Sequence, residues 1–303
     1  MTRAPIADAT DVWGVLRALA SFQLSSSPDQ PAFVSVIRHR ERGSEAVVGE
    51  HPDAVLVFAA GEIELRHELE SGARELFELY APLCRPALAV PCPSPAARGS
   101  FVVAHLGQSL DGRIAPPNGK PEAITGLADV THNHRMRALF DVCLVGAGTV
   151  CHDNPALTVR HVEGDNPVRV VVDPERRLAV DYALFNDGLA PTLLVCRSER
   201  CSPGELHGQA EIVGVDSECS PGAVLEALRQ RGLRRIFIEG GGVTVSRFLA
   251  AHCLHRLQIA VSPFILGQGR PGIDVGQTLR LRPRVRRFNL ADDVLFECCF
   301  DDG

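Results

Sequence analysis

Apolar residues along the last two-thirds of the chain fall in short runs bounded by glycine, proline or aspartate. The runs are Phe101–Leu106, Val142–Val145, Arg169–Val172, Thr192–Cys196, Arg235–Ile238, Leu257–Val261 and Val294–Cys298. Runs with little polar alternation suit strands buried on both faces. Stretches of helical spacing separate several of them. Ser220-Pro221 opens one, with a capping hydroxyl and a proline in the first turn, and Gly232 stops it. Thr125 is expected to cap another that reaches about Phe140. The alternation predicts an α/β fold, a mostly parallel sheet flanked by helices. No helix follows the last run, which predicts an antiparallel edge strand.

The first third reads differently. Strand patterns cover Phe33–Arg38 and Ala54–Ala59, and a helical pattern runs from about Glu64 to Tyr80 through Leu65, Leu69, Leu76 and Leu79. This predicts a small α+β unit. Prolines at 82, 86, 91, 93 and 95, followed by Ala96-Ala97-Arg98-Gly99-Ser100, predict an extended linker. The expected division is a small acidic domain of unknown role, 1–97, and a larger domain, 98–303.

Composition narrows the function. At 45% hydrophobic and 22% charged residues, the 303-residue chain has the balance of a folded protein, so disorder and fibrous repeats are poor readings. A net charge of −6 provides no basic footprint for nucleic acid. The acidity sits in residues 1–97, with 8 Arg against 13 Asp and Glu. None of the ten cysteines forms a Cys-x-x-Cys, and the expected state is reduced thiols in a cytosolic protein. The opening residues lack a signal-peptide order, and no apolar run approaches the ~18 residues of a membrane span. Cytoplasm is therefore the expected compartment. Lys120 is the sole lysine and precedes Pro121, which argues against both a P-loop and Schiff-base chemistry.

Two glycine clusters lie between a strand pattern and a helix pattern. In Glu239-Gly240-Gly241-Gly242-Val243-Thr244, three glycines permit close backbone approach, and the following helix start offers free N–H groups to a pyrophosphate. A tight turn that binds nothing would use the same residues. The second cluster, Gly146-Ala147-Gly148-Thr149-Val150-Cys151, lacks the third glycine of a Gly-x-Gly-x-x-Gly fingerprint, so a standard Rossmann site is not expected. No metal site is expected; His132 and His134, two apart on a helix, read as surface residues.

Several stretches together resemble the reductase half of the bifunctional deaminase–reductases of riboflavin biosynthesis, relatives of dihydrofolate reductase. They are Ser109-Leu110-Asp111-Gly112-Arg113-Ile114-Ala115, Ile124-Thr125, Arg137-Ala138, Val145–Val150, Asp153–Arg160, Arg169–Pro174, Glu239–Gly241 and Pro263–Gly267. They follow the family's order across about residues 100–303. The resemblance implies a dihydrofolate-reductase-like domain and NADPH as cofactor. It implies cofactor contacts at Thr149 and Asp153, with Gly107 nearby, and a pyrophosphate cradle at Gly240, Gly241, Gly242, Val243 and Thr244. The substrate side would comprise His105, Arg137, Leu157, Arg160 and Glu239, with the two arginines gripping a phosphate. Asp153 and Glu239 would be the acidic groups nearest the chemistry. Asp111 and Arg113 would fix a turn after the first strand. The implied activity is reduction of the ribosylamino C1′ of a phosphorylated aminopyrimidine, and relatives of this kind are often homodimers.

The sequence also departs from that family. His105 stands where a lysine is usual, Pro121 and Ala123 replace a serine and a tryptophan, and His255-Arg256 replaces Asp-Glu. These departures leave open a paralogue that reduces another heterocycle, such as a dihydropterin. A non-catalytic nucleotide-binding protein is the further alternative. Pro91-Cys92-Pro-Ser-Pro95 is not the Pro-Cys-x-x-Cys of a zinc deaminase, so no deaminase half is expected.

Overall fold

The computed structural model describes residues 8–22, 34–39, 43–59, 62–66, 68–84, 91–117 and 123–300. Phe33, Pro86, Lys120 and Pro121 lie outside the described residues. The chain divides into two compact units, Met1–Val90 and Pro91–Gly303. The second begins ahead of residue 97 because the turn at Pro95–Ala97 belongs to its core. Ala97 is fully buried there, and Arg229 donates to the Ala96 carbonyl.

In the first unit, helix α1 (Ala9–Ser21) is capped by Asp8, whose carboxylate accepts from Asp11 N. Strands β1 (Val34–His39), β2 (Gly43–Val48), β3 (Ala54–Ala59) and β4 (Glu62–Leu65) form an antiparallel sheet in the order β2-β1-β3-β4. Helix α2 spans Ser71–Tyr80, and Tyr80 meets Trp13 of α1 edge-on at 5.9 Å. The helix expected from Glu64 therefore starts later. Glu62-Ile63-Glu64-Leu65 alternates with the period of a strand, and β3 supplies its partner.

The second unit is built on a ten-stranded sheet. Its members are β5 (Phe101–Ser109), β7 (Val142–Gly146), β8 (Val168–Val172), β9 (Thr192–Arg197), β10 (Leu206–His207), β11 (Ala210–Val215), β12 (Arg235–Ile238), β13 (Arg256–Ser262), β15 (Arg284–Leu290) and β16 (Asp293–Cys299). The order is β10-β11-β9-β8-β7-β12-β5-β13-β16-β15, parallel from β11 to β13 and antiparallel beyond. Strand β16 is antiparallel as expected, but β15 takes the edge. With arginine at 284, 286 and 287, β15 escapes a search for apolar runs, as solvated edge strands do. A separate ribbon joins β6 (Arg113–Ala115) to β14 (Arg270–Pro271).

Helices α3 (Leu127–Leu139), α4 (Ala147–Asp153), α5 (Pro221–Gln230) and α6 (Gly242–Ala250) complete the unit. Ser220 caps α5 by accepting from Ala223 N, and Gly232 closes it at φ +78°. Alternation along β5 divides the core. Val102, Ala104 and Leu106 join the cluster holding Val224, Leu225, Val245 and Phe248, while Phe101 stacks on Phe140. Thr125 does not cap α3. Its hydroxyl donates to Asp129, and the helix start is instead tied by Gly126 N to Asp293 of β16 at 2.7 Å.

His132 and His134 are buried, contrary to the surface expectation, because α3 is covered on two sides. His132 Nε2 meets Gln258 Oε1 of β13 at 2.9 Å, and His134 Nδ1 accepts from Arg160 N. After β5, Asp111 accepts from Ser109 Oγ and from the backbone of Leu266 and Gly267, bonds that lower its pKa to about 2. Ser109 Oγ in turn accepts from Arg113 N, which fixes this turn.

Candidate active site

Strand β12 delivers its chain to Glu239 and the glycine turn. Gly240 has φ +75°, the peptide to Gly241 is cis, and α6 begins at Gly242. Gly241 N donates to Thr149 Oγ1 of α4 at 3.0 Å, which brings the starts of the two helices together. Close approach explains the glycines. A Cβ at Gly146 would lie 2.3 Å from Thr244 Oγ1, and one at Gly242 would lie 2.4 Å from the Gly272 carbonyl. Neither helix has a side-chain cap, so the first N–H groups of α6 and its dipole are available to an anion.

These helices and the β6–β14 ribbon enclose a cleft of about 1110 Å³, a volume suited to a dinucleotide. Thr149, Asp153, Gly241, Gly242, Val243 and Thr244 line it. Gly240 and Gly107 do not; a Cβ at Gly107 would meet Thr125 and Asp129. Asp153 ends α4, and Asn154 turns the chain away in the left-handed region at φ 39°. Partial burial raises the Asp153 pKa, against the pull of His152 and Arg270. His152 Nε2 accepts from Arg270 Nη2 at 2.9 Å, linking α4 to the ribbon.

A second group surrounds Glu239. Arg137 Nε donates to Glu239 Oε2 at 2.7 Å, Nη2 donates to Oε1, and Nη1 donates to the Thr158 carbonyl at 2.7 Å. Cys143 Sγ donates to Glu239 Oε2 at 3.3 Å. Burial alone would raise the Glu239 pKa. The guanidinium and its hydrogen bonds outweigh that and hold the carboxyl below its ordinary value. All three guanidinium nitrogens of Arg137 are thus engaged, by Glu239 and the Thr158 carbonyl. Arg160 remains exposed, with Nη1 donating to Thr158 Oγ1 at 2.6 Å. Leu157 is buried at φ +52°, an uncommon backbone for a branched residue, in the segment that carries both contacts.

His105, on β5, is 3% exposed, and its Nε2 lies 3.1 Å from Asp129 Oδ1. Thr125 Oγ1 donates to Asp129 Oδ2 at 2.7 Å. Burial would raise the Asp129 pKa, but His105, His132 and Thr125 bring it down to about 2. His105 Nδ1 is buried and has no hydrogen-bond partner among the described residues. The sequence reading missed Asp129, although its spacing from His132, three apart on a helix, puts the two on one face. His132, whose pKa burial pushes down to about 4, extends the buried chain through Gln258 to Glu297 and Arg286. The departure at His255-Arg256 is structural. His255 Nδ1 accepts from Val102 N at the far end of β13, and neither residue lines the cleft.

Residues 100–292 match the model of the RibD C-terminal domain. A 2,5-diamino-6-ribosylamino-4(3H)-pyrimidinone 5′-phosphate reductase from Methanothermobacter thermautotrophicus is 33% identical over 213 residues, covering 65% of this chain and 96% of its own. The enzyme of that name from Archaeoglobus fulgidus is 29% identical, covering 62% and 91%. Among solved structures, a diaminohydroxyphosphoribosylaminopyrimidine deaminase/5-amino-6-(5-phosphoribosylamino)uracil reductase from Thermotoga maritima superposes with a TM-score of 0.58 at 26% identity. That likeness covers 77% of this chain and 64% of the Thermotoga chain. With these likenesses and a match that runs from the first strand of the large sheet to the turn before its last, the chain belongs to the RibD C-terminal domain family.

Proposed function

We propose that the protein is an NADPH-dependent reductase of riboflavin biosynthesis that converts the ribosylamino group of a phosphorylated aminopyrimidine to a ribitylamino group. The observation carrying this reading is the 33% identity spanning nearly the whole Methanothermobacter reductase. The residues present fit the cofactor: the cleft has the volume for it, and at Gly241 and Gly242, where a Cβ would crowd Thr149 Oγ1 and the Gly272 carbonyl, bare backbone and the uncapped start of α6 line its wall.

A bound nicotinamide supplies hydride to an electrophilic carbon, here C1′ of the ribosyl group. The chain's own residues supply position and charge. Gly241–Thr244 and Thr149 would hold the pyrophosphate. Arg137 orients Glu239 as a fixed anion for the polar end of the substrate, and Leu157 shapes the segment beside it. Arg160 takes the phosphate. His105, paired with Asp129, stands on the substrate side at the position where the family usually has a lysine. Reduction at C1′ would break its bond to the ring oxygen, and that oxygen would need a proton from the protein. Of the two carboxylates, Asp153 is the one whose pKa partial burial raises, which favours it over Glu239, whose pKa the Arg137 pair lowers, as the proton's source.

The test is NADPH oxidation by the purified protein, offered the ribosylaminopyrimidine phosphate and, separately, dihydrofolate. Turnover of the pyrimidine is expected. Turnover of the pterin alone would replace the substrate assignment, and NADPH binding without turnover of either would point to a nucleotide-binding role.

A further inference from the structure

Three basic side chains line the cleft, and they occupy different surroundings. Arg270 stands with His152 and is opposed by the charge of Asp153. Arg247, on α6, stands apart from them. Its Nη2 donates to the carbonyls of Glu218 at 3.1 Å and Cys219 at 2.9 Å, in the turn that leads to α5. Nε and Nη1 have no partner among the described residues, and no carboxylate pairs with the guanidinium there. Asp274 also lines the cleft, but its Oδ1 accepts from Gly276 N. The half-buried guanidinium, with no ion pair among the described residues, lies at the Cys219 end of the cleft, which Pro174 and Val224 also line.

The direction of a bound dinucleotide follows from the two groups already described, and the inference rests on the reading that the cleft holds one. Its pyrophosphate lies at Gly241–Thr244, and its nicotinamide half must reach toward Glu239 and Ala123, where the substrate is reduced. The adenosine half therefore runs the other way, over Val172 and Pro174 toward Cys219. NADPH differs from NADH by one phosphate, carried on the ribose of that half. We propose that Arg247 binds this 2′-phosphate and sets the preference for NADPH over NADH. Its planar fork, with two nitrogens uncommitted, suits bidentate contact with phosphate oxygens, and an arginine near the adenosine ribose is a recurrent solution to this recognition.

The test is calorimetric titration of the full chain with NADPH, NADH, adenosine 2′,5′-bisphosphate and 5′-AMP. Arg247→Gln keeps an amide donor for the Glu218 and Cys219 carbonyls while removing the charge. Loss of a charge-assisted contact should weaken NADPH and the bisphosphate about tenfold to a hundredfold, leaving NADH and 5′-AMP within about twofold. Arg247→Lys should fall between. An equal fall for all four ligands would reduce Arg247 to a support for the turn before α5 and overturn the proposal. An unchanged NADPH affinity would do the same. Failure of the wild-type chain to bind either dinucleotide would overturn the reductase reading together with this one, whereas wild-type binding that ignores the 2′-phosphate overturns only this one.

Discussion

Single residues carry the sharpest expectations. At Gly241 the backbone N–H is engaged by Thr149 Oγ1, and a Cβ would sit 3.2 Å from that oxygen. Gly241→Asp adds bulk and negative charge where a pyrophosphate must approach, so a fluorescence titration with NADPH should show binding lost. Arg160→Ala removes an exposed guanidinium from the substrate side. A rise of about tenfold in KM for the phosphorylated substrate is expected, with kcat little changed, and an unchanged KM would remove Arg160 from phosphate recognition. Arg137→Ala should act through stability, because it strands the Glu239 carboxylate in a mostly buried position. Breaking such a pair costs about 3–5 kcal/mol, readable as a lowered urea midpoint at unchanged m-value. The equivalent loss in the native protein comes with acid. Since the folded pKa of Glu239 lies below its unfolded value, its contribution is present above the unfolded pKa and disappears as pH falls through the folded one.

Among the elements, α3 carries the least expected chemistry. Its mixed sequence has no apolar stripe, yet Asp129, His132, His134 and Arg137 are all buried because each meets a polar partner on a neighbouring element. The helix itself was expected up to about Phe140, but helical periodicity reads only apolar faces, and so it passed over the buried polar groups that hold this one in place. A pH dependence follows. His132 is held neutral in the fold, with its pKa lowered from 6.5 to about 4. Between those values the unfolded chain binds a proton that the folded chain does not, so stability falls as pH falls from 6.5 toward 4. The full effect is on the order of 3 kcal/mol. Urea denaturation at pH 7, 5.5 and 4.5 should show this decline in the native protein and a shallower one in His132→Gln. Equal slopes would mean that the histidine does not titrate differently on folding.

At the scale of the whole molecule, every residue lining the cleft lies in the second of the two compact units. We therefore expect a fragment of residues 91–303 to bind NADPH within about threefold of the full chain, by calorimetry. Loss of binding would give the first unit a part in the cofactor site. A fragment beginning at 98 should be less stable, since it lacks Ala96 and Ala97 from the core beside α5.

The seven strand runs, the parallel sheet, the Ser220 cap and the glycine turn were all legible in the sequence. Each depends on local spacing or on one residue's backbone preference. The charged edge strand β15 and the strand at Glu62–Leu65 were not, because their partners, rather than their own composition, hold them in place. The same distinction divides the proposed site. Glu239, Gly241, Thr149 and Arg160 could be named from motifs, whereas the commitment of Arg137 to Glu239, the Asp129–His105 pair and the isolation of Arg247 could not. Those three are facts about what stands across a gap. A chain specifies them only by folding, which brings residues distant in sequence within hydrogen-bonding reach or, for Arg247, leaves a guanidinium on the cleft wall with no ion pair among the described residues.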